Sequence, residues 1–98
     1  MTWQIRIHKL VLTDDFCAIP LKEKETILKT IKKKLSFDPE AYGKPLTGEF
    51  KGLWRLRVGD YRVVYRMVKT EILVLVIKVG IRRDDRVYKE LFQRLNKI

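Results

Sequence analysis

The chain has 98 residues, a length that fits one small domain. Twenty-two lysines and arginines against twelve aspartates and glutamates give a formal net charge of +10, which favours a polyanionic or acidic partner. The longest apolar run, residues 72–77, is much shorter than the roughly 20 residues that span a bilayer, and the first residues do not read as a secretory signal. We therefore expect a cytoplasmic protein with no membrane partner.

One cysteine, Cys17, and one histidine, His8, limit the chemistry of the chain. Neither an internal disulfide nor a zinc site can be assembled from one residue of each type, so we expect no metal and no cofactor. Cys17 is interpreted as a small buried hydrophobic residue, with a Cys–His nucleophile pair as the alternative. His8 falls on the polar side of an alternating segment and is interpreted as a surface residue.

The first part of the chain predicts one strand followed by two helices. Residues 2–8 alternate in polarity, as a half-buried strand does. Thr13, followed by Asp14 and Asp15, is typical of a helix N-cap, and Pro20 suits the first turn of the next helix. That second helix is expected to pack through Leu21, Leu28, Ile31 and Leu35, and to expose Lys22, Lys29, Lys32 and Lys33.

The second part predicts a hairpin. Residues 37–50 are rich in proline and glycine and predict a loop, whereas 53–58 and 61–68 predict strands joined by the two-residue turn Gly59-Asp60. In that register one face points into the helices and carries Trp54, Leu56, Val58, Tyr61, Val63 and Tyr65. The opposite face carries Arg55, Arg57, Arg62, Val64 and Arg66.

The remaining residues complete an α+β fold. Residues 72–79 are apolar almost throughout, as in a strand that is covered on both faces, and a closing helix is predicted from about residue 84. We expect a small, mostly antiparallel sheet of about four strands, with an N-terminal helical hairpin packed on one side and a short C-terminal helix.

Two blocks of sequence carry a family resemblance. LTGEFKGLWRLRVGDYRVVYR at residues 46–66 and LVLVIKVGIRRDDRVY at residues 73–88, behind a two-helix half of matching length, resemble the RelE/ParE superfamily of bacterial toxins. The resemblance spans nearly the whole chain and implies a single RelE-like toxin domain at residues 1–98. RelE-like members are mRNA interferases that cut codons in the ribosomal A site, ParE-like members inhibit DNA gyrase, and a cognate antitoxin neutralises both.

The resemblance also implies a set of functional residues. The catalytic positions fall on Arg55, Arg62, Arg82 and Tyr88, and candidate RNA-binding positions are Lys51, Arg57, Arg66 and Arg83. Two positions depart from the RelE pattern. Leu53 stands where a lysine is usual, with Lys51 two residues away, and Ile81 stands where many members have histidine or lysine.

The residue types suit cleavage of RNA without a metal. RNA supplies its own nucleophile, the 2′-hydroxyl, so an enzyme need only align it, neutralise the phosphorane and move protons. Arginine grips phosphate oxygens bidentately, which makes Arg62 and Arg82 the first candidates for holding the scissile phosphate. Tyr88 is assigned to the 2′-hydroxyl proton, and Arg82 to the leaving oxygen.

Three functions follow from these patterns. The first is a ribosome-dependent endoribonuclease, the second a ParE-like non-catalytic inhibitor of gyrase, and the third a cleavage-impaired toxin that acts in antitoxin–operator regulation. In each, the expected partner is an acidic, partly disordered antitoxin segment that folds across the basic surface. Contact with operator DNA is expected only through the antitoxin.

Overall fold

The computed structural model describes residues 2–81 and 86–96, without the side chains of residues 86 and 87. Its elements are β1 (Gln4–Ile7), α1 (Leu21–Thr30), α2 (Pro39–Tyr42), β2 (Lys44–Pro45), β3 (Trp54–Val58), β4 (Tyr61–Val68), β5 (Leu73–Ile81) and α3 (Arg86–Leu95). The sheet order is β1-β5-β4-β3-β2, with β1 parallel to β5 and the other pairs antiparallel. The α+β class is confirmed; β2, within the predicted loop, is the fifth strand.

The hairpin of β3 and β4 has the predicted register. Val58 lies opposite Tyr61, so Gly59 and Asp60 form a two-residue turn. Gly59 has a φ of +57°, the conformation required at the first central position of a type II′ turn. This register directs Val63 and Tyr65 into the larger of the two hydrophobic cores, which we call the main core. The arginines are left on the other face of the hairpin.

The N-terminal helices cover one face of the sheet. Ile27 of α1, together with Ile31 and Leu35 of the following π-helical turn (Ile31–Leu35), is buried against β3, β4 and β5. The prediction that Leu21 packs in this core was wrong, because α1 begins at Leu21 and its side chain is 69% exposed there. Ile27 takes the buried position in α1 instead.

The closing helix α3 packs on the opposite face. Leu91 is fully buried with Leu53, Val64 and Ile77, which form a second, smaller core. β5 is therefore covered on both faces, as its apolar sequence predicted. The arginines of β3 and β4 share their face of the sheet with α3, so this helix lies beside them.

A buried carboxylate completes the edge of β5 where β1 ends. β1 pairs only with residues 73–76 of β5. Beyond them, Asp15 accepts hydrogen bonds from the Val79 backbone N–H and from Lys78 Nζ, both at 2.9 Å. Thr13 was predicted to cap a helix, but it lies inside the π-helical turn Val11–Asp15, so that prediction was wrong. The carboxylate of Asp15 binds Lys78 and Val79 of β5 instead of lying in the first turn of a helix.

Two sequence interpretations of single residues need correction. Cys17 is exposed, because Phe16 occupies the buried position of their shared 3₁₀ turn, and its Sγ donates to the Thr13 carbonyl at 2.8 Å. His8 is partly buried, and its Nδ1 accepts from the Leu10 N–H at 3.1 Å. Residues 2–81 and 86–96 contain no helix long and apolar enough to cross a bilayer and no metal-binding cluster of three or more His, Cys, Asp or Glu.

Candidate functional site

The strands β2, β3 and β4 bring basic residues together across the sheet. The β3–β4 register places Arg57 opposite Arg62, and the β2–β3 register places Lys44 opposite Arg55. These pairings follow from the two-residue turn, which sets which side chains share a face. Four cations from three strands therefore meet at the edge of one sheet.

A cavity of about 220 Å³ lies among these cations. We call it the basic cavity, and it is lined by Tyr42, Lys44, Arg55, Arg57 and Arg62. Within the described part of the chain, none of its four cations forms an ion pair with a carboxylate. Guanidinium groups that keep their donors free in a concave site are suited to binding an anion such as a phosphate.

Tyr88 of α3 lies beneath one of these arginines. The guanidinium carbon of Arg62 is 4.9 Å from the centroid of the Tyr88 ring, a cation–π contact. A second neighbour of that ring is Phe50, whose centroid is 5.8 Å away at an interplanar angle of 27°. The stacked rings of Phe50 and Tyr88 thus hold the Arg62 side chain over the sheet, next to the basic cavity.

The other candidates are distributed differently. Arg55 is partly buried and Arg57 exposed, and both line the cavity. Arg66 is exposed on β4, opposite Leu75, and does not line it. Lys51 is exposed in the turn before β3 and also lies outside the lining. Arg82 and Arg83 fall outside the described residues, so the convergence of Arg82 with Arg62 stays a prediction.

The two positions that depart from the RelE pattern have clear structural roles. Leu53 is only 7% exposed, and its side chain packs in the second core. Ile81 ends β5 opposite Tyr61 and is 55% exposed. Neither position contributes a cation or a titrating group to the basic cavity.

Sequence reasoning missed Tyr42 and Lys44. Both lie in the segment that its prolines and glycines predicted to be a loop, and a strand of two residues is too short to show periodicity. The detectable signal was Lys44 itself, a cation directly before Pro45 and a few residues ahead of the arginine-rich hairpin.

Buried contacts hold the segment that carries Tyr42 in place. The Tyr65 hydroxyl donates to the Pro39 carbonyl at 2.5 Å, and Asp38 caps α2 by accepting from the Ala41 N–H at 3.1 Å. A Cβ at Gly43 would overlap the Tyr65 hydroxyl. Burial, and then the carboxylates of Asp38 and Glu40, raise the pKa of Tyr65, which keeps the phenol protonated as a donor.

A larger cleft of about 450 Å³ lies elsewhere, beside the buried carboxylate of Asp15. Two cations line it, Lys78 and Arg94, and both are already bonded to Asp15. Glu90 binds Lys78 as well, at 2.5 Å. With its cations neutralised in this way, the larger cleft is poorly suited to an anion, and the basic cavity is the stronger candidate.

Comparison with known proteins gives one family and a set of similar structures. The family model for the ParE toxin of the type II toxin–antitoxin system parDE matches residues 14–86. No curated protein matches the sequence.

Solved structures of toxins from bacteria and archaea are similar to this one. The RelBE2 toxin–antitoxin complex from Mycobacterium tuberculosis has a TM-score of 0.79 and 26% identity, covering 86% of this chain and 95% of that chain. The archaeal RelE–RelB complex from Pyrococcus horikoshii has a TM-score of 0.63 and 27% identity, covering 84% and 97%. A free double arginine-to-alanine mutant of E. coli RelE has a TM-score of 0.71 and 23% identity, covering 97% and 99%, and shows the shared fold.

Proposed function

This chain belongs to the ParE toxin family of type II toxin–antitoxin systems, and we propose that it is a ribosome-dependent endoribonuclease that cleaves mRNA in the ribosomal A site. The observation that carries the proposal is the basic cavity, where Arg55, Arg57 and Arg62 surround a space beside Tyr88. A site of this composition binds a phosphodiester and stabilises the charge that develops on it.

The proposed reaction uses the nucleophile of the substrate. The 2′-oxygen attacks the adjacent phosphorus, the bond from phosphorus to the 5′-oxygen breaks, and a 2′,3′-cyclic phosphate and a 5′-hydroxyl result. Arg55 and Arg62 neutralise the phosphorane, because their guanidinium groups stay charged at physiological pH. No nucleophile or metal is required of the protein.

Two protons must move in this reaction. We assign the 2′-hydroxyl proton to the hydroxyl oxygen of Tyr88, which passes its own proton to water and whose ring lies against Arg62. Arg82 is assigned to the leaving 5′-oxygen on the strength of the family resemblance. Such a site aligns its substrate weakly, and binding the message on the ribosome supplies the in-line geometry that the site itself does not impose.

The proposed partners follow from charge and family. An acidic antitoxin segment, binding as a helix or strand, complements a domain of net charge +10 and covers the basic cavity. The similar structures from Mycobacterium tuberculosis and Pyrococcus horikoshii are complexes with an antitoxin, which supports this assignment. The second ligand is mRNA on the ribosome, and operator DNA is contacted through the antitoxin.

A second function is favoured by a specific observation. Leu53 is buried in a core, so the cation usual in RelE-type toxins is missing from that position, and the matching family model is that of ParE. Inhibition of DNA gyrase through the basic surface, without catalysis, is therefore the alternative.

One paired experiment separates these functions. The purified chain is added to ribosomes translating a defined message, which is read by toeprinting, and to gyrase in a supercoiling assay. Cuts within A-site codons, abolished in Arg62→Ala and retained in Arg6→Ala, are expected; Arg6 is an exposed arginine on β1, at the far side of the sheet. Loss of supercoiling with intact messages would establish the gyrase function instead.

A further inference from the structure

Among the described residues, one aromatic ring lines the basic cavity. Tyr42 is the last residue of α2, is 46% exposed, and is the one uncharged residue among the described residues of the cavity lining. Two aromatic residues that alternation places toward the core do not reach this surface. Tyr65 is fully buried and Trp54 packs against the main core, so neither is available for a ligand in the cavity.

The backbone that carries Tyr42 is anchored both before and after this residue. Tyr65 binds the Pro39 carbonyl at the start of α2, and Gly43 packs directly against the Tyr65 hydroxyl. Lys44 then enters the sheet opposite Arg55. The ring is thus attached to backbone that is anchored on each side, which lowers the entropy lost when a ligand binds it.

One face of the ring already has a cation near it. Lys34 Nζ lies 5.6 Å from the ring centroid of Tyr42. This contact helps to hold the ring, and the 46% exposure of Tyr42 leaves part of its surface accessible to a flat partner. Such a ring lies beside arginines that form no ion pair with any described residue. This is the composition of sites that bind single-stranded nucleic acids, in which cations follow the phosphates and aromatic rings stack on bases.

We propose that Tyr42 is the stacking platform for one unpaired nucleobase of the bound strand, while Arg55, Arg57 and Arg62 hold its phosphate. The proposal rests on the RNA ligand of the proposed function and adds a base-binding subsite to it. The cavity, about 220 Å³, is smaller than the roughly 300 Å³ at which drug-sized ligand sites begin. It therefore takes the phosphate, and the base lies outside it on the ring.

Two consequences for recognition follow. A base must leave its helix to stack on Tyr42, so the subsite takes single strands and rejects a duplex. Every nucleobase has a stacking face, so the ring tolerates different bases rather than reading a sequence.

The test compares an RNA trinucleotide with a trimer of the same ribose-phosphate backbone that lacks bases. Its 2′-oxygens are methylated, so that no cleavage occurs. Dissociation constants are measured by NMR titration for the wild-type chain, Tyr42→Ala, Tyr42→Phe and Phe37→Ala. Phe37 is the control, since it is 72% exposed and does not line the cavity. Matching amide spectra show that each variant is folded.

We expect Tyr42→Ala to bind the trinucleotide about tenfold more weakly or worse, by the measured strength of base–aromatic stacking. Tyr42→Phe and Phe37→Ala should bind as the wild-type chain does. The base-free trimer should bind the wild-type chain and Tyr42→Ala equally, because only the phosphate contacts are left.

Equal loss on both trimers, or no loss on either, would overturn the stacking subsite. So would the absence of any binding. The nuclease proposal fails in a different way: if messages stay intact on ribosomes while Tyr42→Ala still weakens trinucleotide binding, the base subsite stands and the catalytic function falls.

Discussion

Asp15 and Lys78 are 63 residues apart in the chain, and their side chains form a buried ion pair of 2.9 Å. Arg94 of α3 binds the same carboxylate through two nitrogens, at 2.6 and 2.9 Å, and also donates to the Ile77 carbonyl. One carboxylate thus links the N-terminal helical turn, β5 and α3. Since α3 also carries Tyr88, this ion cluster helps to position the ring beneath Arg62.

Removing that carboxylate should be costly. Asp15→Ala leaves Lys78 and Arg94 buried with too little negative charge and removes the acceptor of the Val79 N–H. We expect a loss of about 3–5 kcal/mol in the free energy of unfolding, measured with urea. Asp14→Ala is the matched control. Asp14 is largely exposed and comes no closer to Arg94 than 3.9 Å, so its removal should cost at most about 1 kcal/mol. Similar losses in the two variants would contradict this account of the cluster.

The contact between Gly43 and Tyr65 predicts a coupling between two mutations. Gly43→Ala places a methyl group against the Tyr65 hydroxyl and should destabilise the protein. Tyr65→Phe alone should cost about 1–3 kcal/mol, since it leaves the Pro39 carbonyl without its buried donor. In the Tyr65→Phe background, the cost of Gly43→Ala should fall. A double-mutant cycle by urea unfolding measures this, and strictly additive effects would show that the two residues do not touch.

Tyr65 also predicts how stability depends on alkaline pH. Its pKa is raised in the folded protein by burial and by nearby carboxylates, whereas unfolded tyrosine ionises near pH 10. The unfolded chain therefore loses this proton first, so stability is intact below about pH 10 and declines above it by about 1.4 kcal/mol per pH unit for this group. The difference in unfolding free energy between wild type and Tyr65→Phe should accordingly shrink between about pH 8 and about pH 11. A constant difference across that range would contradict the raised pKa.

Cleavage should depend on the geometry of the Arg62 side chain as well as on its charge. Arg62→Ala should lower the rate of A-site cleavage about 100-fold or more, as loss of a transition-state donor does. Arg62→Lys should restore little, because an ammonium cannot grip a phosphate bidentately or cover the Tyr88 ring in the same way. Arg6→Ala removes the same charge from an exposed position on β1 outside the cavity and should retain near-wild-type rates. Full activity in Arg62→Lys would reduce the role of Arg62 to charge alone.

The Tyr88→Phe variant distinguishes a role of Tyr88 in proton transfer from its role as a support for the Arg62 side chain. The phenylalanine ring still stacks on Phe50 and lies beneath Arg62, so the only group lost is the hydroxyl. If that hydroxyl moves the 2′-proton, single-turnover cleavage on ribosomes should slow by about 100-fold or more. Tyr88→Leu, which removes the ring as well, should also destabilise the second core. Wild-type rates in Tyr88→Phe would leave the ring as a support for Arg62 and end its assignment in proton transfer.

Local pattern predicted the hairpin well. The alternation around Gly59-Asp60 has one register that buries the apolar side chains, and Val58 does lie opposite Tyr61. The same alternation placed Arg55, Arg57 and Arg62 on one face, and in the structure all three line the basic cavity. Burial of apolar side chains thus determined the arrangement of the cations.

Contacts between distant segments were beyond the reach of periodicity. Lys78 was read as part of an apolar strand, although a cation there requires a buried counter-charge, and nothing local indicates that Asp15 supplies it. Tyr42 and Lys44 were hidden in a segment whose turn residues predict a loop, and the two-residue pairing that aligns them arises only in the assembled sheet. A cation within an apolar strand is the signal that a reader of such sequences can use.

The parallel pairing of β1 with β5 has a consequence for how this protein is made. Residues 4–7 find their partner only after residues 73–76 have been synthesised, and Asp15 acquires Arg94 later still. Closing so long a stretch of chain is entropically costly and slows folding. We expect a nascent polypeptide to lack the finished sheet until residues 73–76 have emerged from the ribosome, so the toxin cannot take its folded form before that point.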